Sequence, residues 1–560
     1  MVSKPYYSQL IKLKMTWRSL PLNVSGDVFP CCGSRYQQLR LVNNKACTAR
    51  PYAIIRPRTT EDVALAVNFA HRHRIQISVR SGGHGYTCNQ IKEGAILIDL
   101  RGLNKISLIK TGKSRTGLAA VLGTGSTWGD VQRKIPLDRY SYPHGQCRSV
   151  GVGGYLLGGG VNWLGTFNKY GYGAEQILQM RVVTANGTIL DLHPGYTVKY
   201  PKYPHEPIQT IQNQYENDLF FAMRGAGSSY AIATEFLYTI HPTPETNPAV
   251  LLVWVTDKTD LWKLQAAATG SSKYSVSVNN EFAGDFWNNF KTRIVYKFLP
   301  TILTSLKIIH RSGDLPLFLT ITDIRPYAGE FTDPVEAARF LEKYGVNLVY
   351  TNPVIVKAFD SFARYLYEMN IKEQEVQPAG EYHLAGVHLG GMADTTALEE
   401  VFFRNPTFGI KRTNNQMFRE LGCDYCFWVI HFRNRQSFPS VEYPISTNTD
   451  NNLVHGVDSN LVCLFRNRNS ECPREVIRVK KTMEKRLDHY NLSYSKYYNF
   501  PSCDSEDWMW KYWGQNYYQL LAIKSFWDPE NIFHSCQSVG STDNSCCPFT
   551  LNKPNGRGRP

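Results

Sequence analysis

Several things are missing from this 560-residue chain, and each absence narrows what it can be. No segment approaches the apolar length of a membrane span, so the sequence points to a soluble body. No stretch is biased enough in composition to stay unfolded, and no repeat recurs at a fixed period. Met1–Trp17 carries Lys4, Lys12 and Lys14 but lacks the apolar run of a secretory signal. No Gly-Lys-Ser/Thr phosphate loop is present. The glycine-rich stretch Gly151–Gly160 is not a dinucleotide fingerprint either, because no acidic residue ends a second strand at the right distance. Cys423-x-x-Cys426 has half a zinc site's spacing without a second half, so no metal is expected. No nucleic-acid motif accompanies the basic residues.

What is present suits a globular protein of two or three domains. The net charge of +15 comes from 62 Lys+Arg against 47 Asp+Glu, and the positive residues are scattered. Lys480, Lys481, Lys485 and Arg486 lie in Pro473–Tyr490, where Val476, Val479, Met483 and Leu487 fall at helical spacing. That pattern reads as a solvated helix face beside an apolar stripe. Thirteen cysteines and three sequons, at Asn23, Asn186 and Asn491, lean toward the secretory pathway and an oxidising compartment. Cys31-Cys32 and Cys546-Cys547 are candidate disulfide staples.

Along the chain, Thr59 with Asp62 three residues later marks a helix start, followed by Val63, Ala66, Val67 and Ala70. Ile75–Val79, Ala95–Asp99 and Ala119–Leu122 read as strands, and a helix is expected near Trp128–Ile135. Ile177–Val183 and Thr188–Leu190 form a hairpin around Asn186-Gly187. Beyond Pro242, Val250–Val255 and Leu317–Thr322 read as strands, and Pro334–Lys343 and Val356–Tyr367 as helices. The fold class is α+β in two domains.

Two glycine loops carry the chemical signal. Arg80-Ser-Gly-Gly-His84-Gly85 follows a strand, so its backbone N–H groups can cradle an anion such as a pyrophosphate. Cys147-Arg-Ser-Val150 leads into a run holding six glycines between Gly151 and Gly160. Glycine costs roughly 0.5–1 kcal/mol per site relative to alanine in regular structure. So dense a run implies backbone laid against something bulky and flat.

These loops, with Lys169-Tyr-Gly171, Leu219–Ala226 and Asp528–Phe533 in order behind them, resemble the FAD-linked oxidases that include the berberine-bridge and carbohydrate oxidases. That family lies within the vanillyl-alcohol-oxidase fold group, and the similarity spans roughly Ala53–Val539. It implies an N-terminal extension over 1–35, a FAD-binding domain over 36–246 and an antiparallel-sheet substrate domain covered by helices over 247–486. A return segment over 487–540 and a tail over 541–560 would follow. The resemblance makes His84 the residue bonded to the flavin 8α-methyl and Cys147 the residue bonded to carbon six of the ring. Arg80, Ser81, Gly82, Gly83, Gly85 and Tyr86 would meet the cofactor. So would Gly151, Gly153, Gly154, Tyr155, Gly160 and Asn499. Val150 matches the position where valine goes with reaction with dioxygen. Tyr155 departs from the histidine common in plant members, and the segment after Arg224 departs from the usual Gly-Gly-Gly-x-Phe-Gly-Ile.

The resemblance implies hydride transfer from a small organic substrate, an alcohol or sugar hydroxyl, to covalent FAD, with dioxygen as acceptor. Tyr497-Tyr498-Asn499-Phe500 matches the family's Tyr-x-Asn-Tyr/Phe motif, which makes Tyr497 the candidate base. Tyrosine's ordinary pKa of about 10 would then need nearby positive charge. Tyr498, Asn499, His431 and Glu381 are the further candidates, Glu381 in the manner of alkaloid-oxidising members. An oxidative cyclase and a catalytically silent flavin-binding protein are the other readings of the same scaffold.

Overall fold

The structure is a computed structural model. It describes residues 24–145, 147–161, 170–227, 229–243, 249–254, 274–281, 316–323, 354–358, 381–389, 425–432, 444–447, 457–465, 485, 489, 493–501 and 507–542. The strands between 249 and 465 are described by their backbone.

The first sheet has four strands, β1 (Asp27–Pro30), β2 (Ala53–Arg56), β3 (Ile77–Arg80) and β4 (Ile96–Asp99), in the order β1-β2-β4-β3. Strands β2 and β3 both pair with β4 in parallel. Parallel neighbours need a crossover, and helix α1 (Thr60–Arg72) supplies it. Its start is the capping box expected from sequence: Asp62 N–H bonds the Thr59 hydroxyl, while the Asp62 carboxylate accepts the Thr59 N–H. Glu61 and Asp62 sit in its first turn and His71 and Arg72 in its last, each sign suiting the helix dipole. Val63, Ala66, Val67 and Ala70 are buried against Ile55, Ile77, Ile96 and Ile98, and the same cluster takes in Val183 and Ile232 of the next sheet. Helix α1 is therefore packed between two sheets.

The second sheet has seven antiparallel strands between Ile106 and Thr239, and it contains the hairpin expected at Asn186-Gly187. Helix α2 (Trp128–Lys134) and helix α3 (Val152–Leu157) pack beside it, in a core holding Trp128, Tyr155, Leu156 and Tyr238. Helix α3 was not anticipated within the glycine run. Val152, Tyr155, Leu156 and Leu157 are all buried there, and burying them stabilises one and a half turns despite two helical glycines.

The third sheet runs through eight strands between Ala249 and Ser495, with β5 (Tyr274–Glu281), β6 (Tyr425–Phe432), β7 (Val457–Phe465), β8 (Glu381–Leu389) and β9 (Ser493–Ser495) adjacent in that order. Ala249–Trp254 and Pro316–Asp323 are strands as expected. Val354–Ala358 is a strand too, where a helix was expected to begin at Val356. Its Val-Ile-Val run is β-branched, and pairing with Ala249–Trp254 outweighs a helical spacing. Residues 359–367 and Pro334–Lys343 lie outside the described residues, as does Pro473–Tyr490 apart from Lys485 and His489.

Cys47 is bonded to Cys88, and Cys31 is bonded to its neighbour Cys32 instead of stapling a distant segment. Cys546-Cys547 lies outside the described residues. Among the described residues no helix is long and apolar enough to cross a membrane, and no group of His, Cys, Asp and Glu could hold a metal ion.

Candidate active site

The site forms where three distant parts of the chain meet. Strand β3 ends at Arg80, whose guanidinium bonds the fully buried Asp99 carboxylate at 2.8 Å and also reaches the Leu41 carbonyl. Arg101 bonds the same carboxylate, and the two cations hold the Asp99 pKa below its usual range against the opposing effect of burial. This anchor fixes the end of β3, from which Ser81–Gly85 turns into the cavity.

The second loop is docked onto helix α2. The N–H groups of Trp128 and Gly129, unpaired within the helix by geometry, donate to the carbonyls of Val150 and Arg148. The two loops then lock together. Ser81 Oγ donates to the Thr124 carbonyl at 2.6 Å and accepts the Gly153 N–H at 3.3 Å. Gly82 and Gly151 lie backbone against backbone, so a Cβ on either would collide with the other's amide nitrogen. This brings His84 Nε2 to 2.8 Å from Ser149 Oγ. Burial pushes His84 down to about 4, so the imidazole is neutral at physiological pH.

The third part is the return segment. The Tyr497 hydroxyl oxygen accepts the N–H groups of Gly160 and Val161, each at 3.0 Å, and an Asn499 amide N–H at 2.9 Å. Burial pushes Tyr497 up to about 12, with those three donors working in the opposite sense, and burial moves Tyr498 to about 12 as well. Lys524 ties the segment down: its ammonium donates to the Ser229, Asp528 and Phe533 oxygens.

One cavity is lined by all three parts, including His84, Cys147, Val150, Tyr155 and Tyr497. Residues 51–193 match the family described as FAD binding domain, and residues 496–540 match the one described as Berberine and berberine like. The chain therefore carries a FAD-binding domain and a berberine-like segment, and it is similar to the berberine-bridge-like FAD-linked oxidoreductases. It is 30% identical to (R)-6-hydroxynicotine oxidase of Paenarthrobacter nicotinovorans over 43% of this chain and 47% of that one. The chain spans less than half the length of the first relatives it matches. In structure it is similar to a Physcomitrella patens BBE-like protein (TM-score 0.66, 18% identity, 92% of this chain and 97% of that one). It is likewise similar to the Acremonium strictum glucooligosaccharide oxidase, which carries a 6-S-cysteinyl, 8α-N1-histidyl FAD (TM-score 0.65, 17% identity, 92% and 97%).

The cavity suits such a group. Ser78 Oγ, Gln90 Oε1, Thr124 Oγ1 and the Tyr155 hydroxyl are buried at its wall with no partner among the described residues, and a bound cofactor's polar atoms would satisfy them. A Cβ on Gly154 would meet no protein atom within 4 Å, which leaves room for a flat ring.

Of the residues singled out from sequence, Ser81, Gly82, Gly83, Gly85, Tyr86, Gly151, Gly153, Gly154, Tyr498 and Asn499 also line the cavity. Arg80 and Gly160 do not. Arg80 is turned toward Asp99 and braces the loop from behind, while Gly160 holds Tyr497. Glu381 is the first residue of β8, seven positions from His388, which pairs with Ser495. At about 3.3 Å per residue, its backbone is roughly 23 Å from that edge.

Sequence reasoning passed over Lys92 and Ser149, and it singled out His431 without its register neighbours Asp458 and His388. Lys92 lines the cavity and donates to the Ile77 and His534 carbonyls, and burial with the nearby charge of Lys524 brings it down to about 8. Its only signal was the position eight residues after His84. Ser149, two residues after Cys147, carried none. On the third sheet, His431 of β6 is opposite Asp458 of β7, which is opposite His388 of β8, which is opposite Ser495 of β9. Opposed residues of antiparallel neighbours share a face, so this polar row ends two residues before Tyr497. Only the register reveals it.

Proposed function

We propose that this oxidoreductase is an oxidase that passes a hydride from an alcohol or sugar hydroxyl to FAD bonded through His84 and Cys147. Dioxygen would be the acceptor and hydrogen peroxide the product. The reading is carried by one observation: His84, Cys147 and Val150 line a single cavity. The oxidase activities named for (R)-6-hydroxynicotine oxidase and glucooligosaccharide oxidase support it.

Bound FAD supplies the two-electron acceptor. The chain supplies position and proton handling. Ser81, Gly82, Gly83 and Gly85 offer backbone to the pyrophosphate, and Gly151, Gly153 and Gly154 let the ring approach. Tyr497 takes the substrate proton. The N–H groups of Gly160, Val161 and Asn499 at its oxygen favour the ionised form, and one of them must give way for the oxygen to take the proton. The His431–Asp458–His388 row is in register beside Ser495, two residues before Tyr497, and is the part of the third sheet proposed to serve a hydroxylated substrate. The disulfides of the amino-terminal region support residence in the secretory pathway.

The test combines acid precipitation of the purified protein with peroxide release on a panel of sugars and alcohols. A yellow pellet and peroxide above background are expected. A colourless pellet would sink the covalent linkage, and a yellow pellet with no peroxide from any hydroxylated substrate would sink the oxidase.

A further inference from the structure

Two lysines hold successive carbonyls of the return segment, and one of them lacks a matching charge. Lys524 donates to the Ser229 carbonyl, the Phe533 carbonyl and the Asp528 carboxylate, which uses its three N–H groups and neutralises it. Lys92 donates to the next carbonyl, that of His534, and at 3.5 Å to that of Ile77. An ammonium has three N–H groups, so one is left over. No carboxylate pairs with Lys92 among the described residues: its sequence neighbour Glu93 accepts the Arg50 N–H, and Glu530 bonds His71.

This half-buried ammonium lines the cavity. Among the described residues of the cavity wall, Lys92 is the one Lys or Arg, there is no Asp or Glu, and His84 is neutral. Holding a cation away from water without a counter-charge is costly, and burial with the Lys524 charge brings Lys92 down to about 8. Its place on the wall points to the missing charge. Gln90, two residues earlier, donates to the Gly85 carbonyl, so Lys92 flanks the loop that offers backbone to a pyrophosphate. We infer that Lys92 is the counter-ion of the FAD diphosphate, giving its remaining N–H to a phosphate oxygen. The inference rests on the FAD reading above and extends it to the residue that balances the cofactor's charge.

A counter-ion differs from a structural tie in what it needs. Lys92 also joins the start of strand β3 to the return segment through Ile77 and His534, and for that an N–H donor is enough. Glutamine keeps such donors and loses the charge. Backbone N–H groups of the glycine loop hold phosphate by dipoles alone, whereas a full charge adds a preference for ligands that carry the diphosphate. Lys92 therefore discriminates ADP from adenosine and FAD from riboflavin.

The test uses the full chain with His84→Ala and Cys147→Ala as the parent, so that flavin stays exchangeable and can be dialysed away. Binding of FAD and riboflavin is read by flavin fluorescence, and binding of ADP and adenosine by calorimetry. Lys92→Gln and Lys92→Met should each weaken ADP and FAD about tenfold, the scale of one charge-assisted hydrogen bond, and leave adenosine and riboflavin within about twofold. Added salt should weaken ADP binding more steeply in the parent than in Lys92→Gln. Melting of the ligand-free protein reports whether each variant is folded, and Lys92→Gln carries the test if Lys92→Met is not. ADP bound by Lys92→Gln as tightly as by the parent overturns the inference. So does an equal loss for ADP and adenosine, which would mark Lys92 as a structural tie. A parent that binds neither FAD nor ADP overturns the inference and the FAD reading together.

Discussion

Gly82 and Gly151 meet backbone to backbone, although 69 positions separate them, and neither has room for a single methyl group. The atoms in the way are main-chain atoms of the facing loop and, at Gly151, also Ser81 Oγ, and the main-chain atoms cannot rotate aside. Gly82→Ala and Gly151→Ala should each destabilise the protein by about 2–3 kcal/mol and lower its flavin content. Thermal melting and the ratio of flavin to protein absorbance check both.

Gly154 should behave in the opposite way. It is inside helix α3, beside the cavity, and a Cβ there meets nothing within 4 Å. Gly154→Ala should stabilise flavin-free protein by about 0.5–1 kcal/mol through helix propensity, yet impair FAD uptake by filling the cofactor's space. Melting with and without FAD separates the two effects.

Replacing Tyr497 with phenylalanine removes the acceptor of three N–H groups. Leaving buried donors unsatisfied costs about 1–3 kcal/mol each, so a lower melting temperature is expected. If Tyr497 also takes the substrate proton, the rise of kcat/KM with pH that reports its ionisation should vanish in Tyr497→Phe. A stability loss with an unchanged pH profile would leave it as an anchor only.

Asp458 is the middle of the sheet row between His431 and His388. If the row serves the substrate, Asp458→Asn, which keeps the size and removes the charge, should reduce kcat/KM by about tenfold. Acid-stable flavin content should not change, because the row belongs to a different sheet from His84.

His144 is fully buried, and desolvation brings it down to about 4, against about 6.5 in an unfolded chain. Between those values the unfolded state binds more protons. The stabilisation is therefore complete above pH 6.5 and lost as pH falls toward 4, by up to about 3 kcal/mol. His144→Gln should flatten the melting temperature over that window.

Much of the fold was legible where one local rule dominated. Thr59 and Asp62 announced the start of α1, and Asn186-Gly187 announced its hairpin, because capping and tight turns depend on neighbours in sequence. The glycine run was legible as a cofactor approach but not as a helix, since the burial of Tyr155 and Leu156 that stabilises α3 is a tertiary effect. Arg80 was grouped with the cofactor loop. Asp99, which turns it away, is 19 residues on and gives no sign in sequence of being its partner. Ser149 and the His431–Asp458–His388 row depend on loop docking and strand register, which no local pattern encodes.

The cavity wall joins residues near Ile77 with residues as far along as Gln537, and the Lys524 ammonium fastens the last of these in place. The chamber can therefore close only after residues through about Gln537 have left the ribosome, and any flavin held by a nascent chain stalled before Lys524 should be open to solvent.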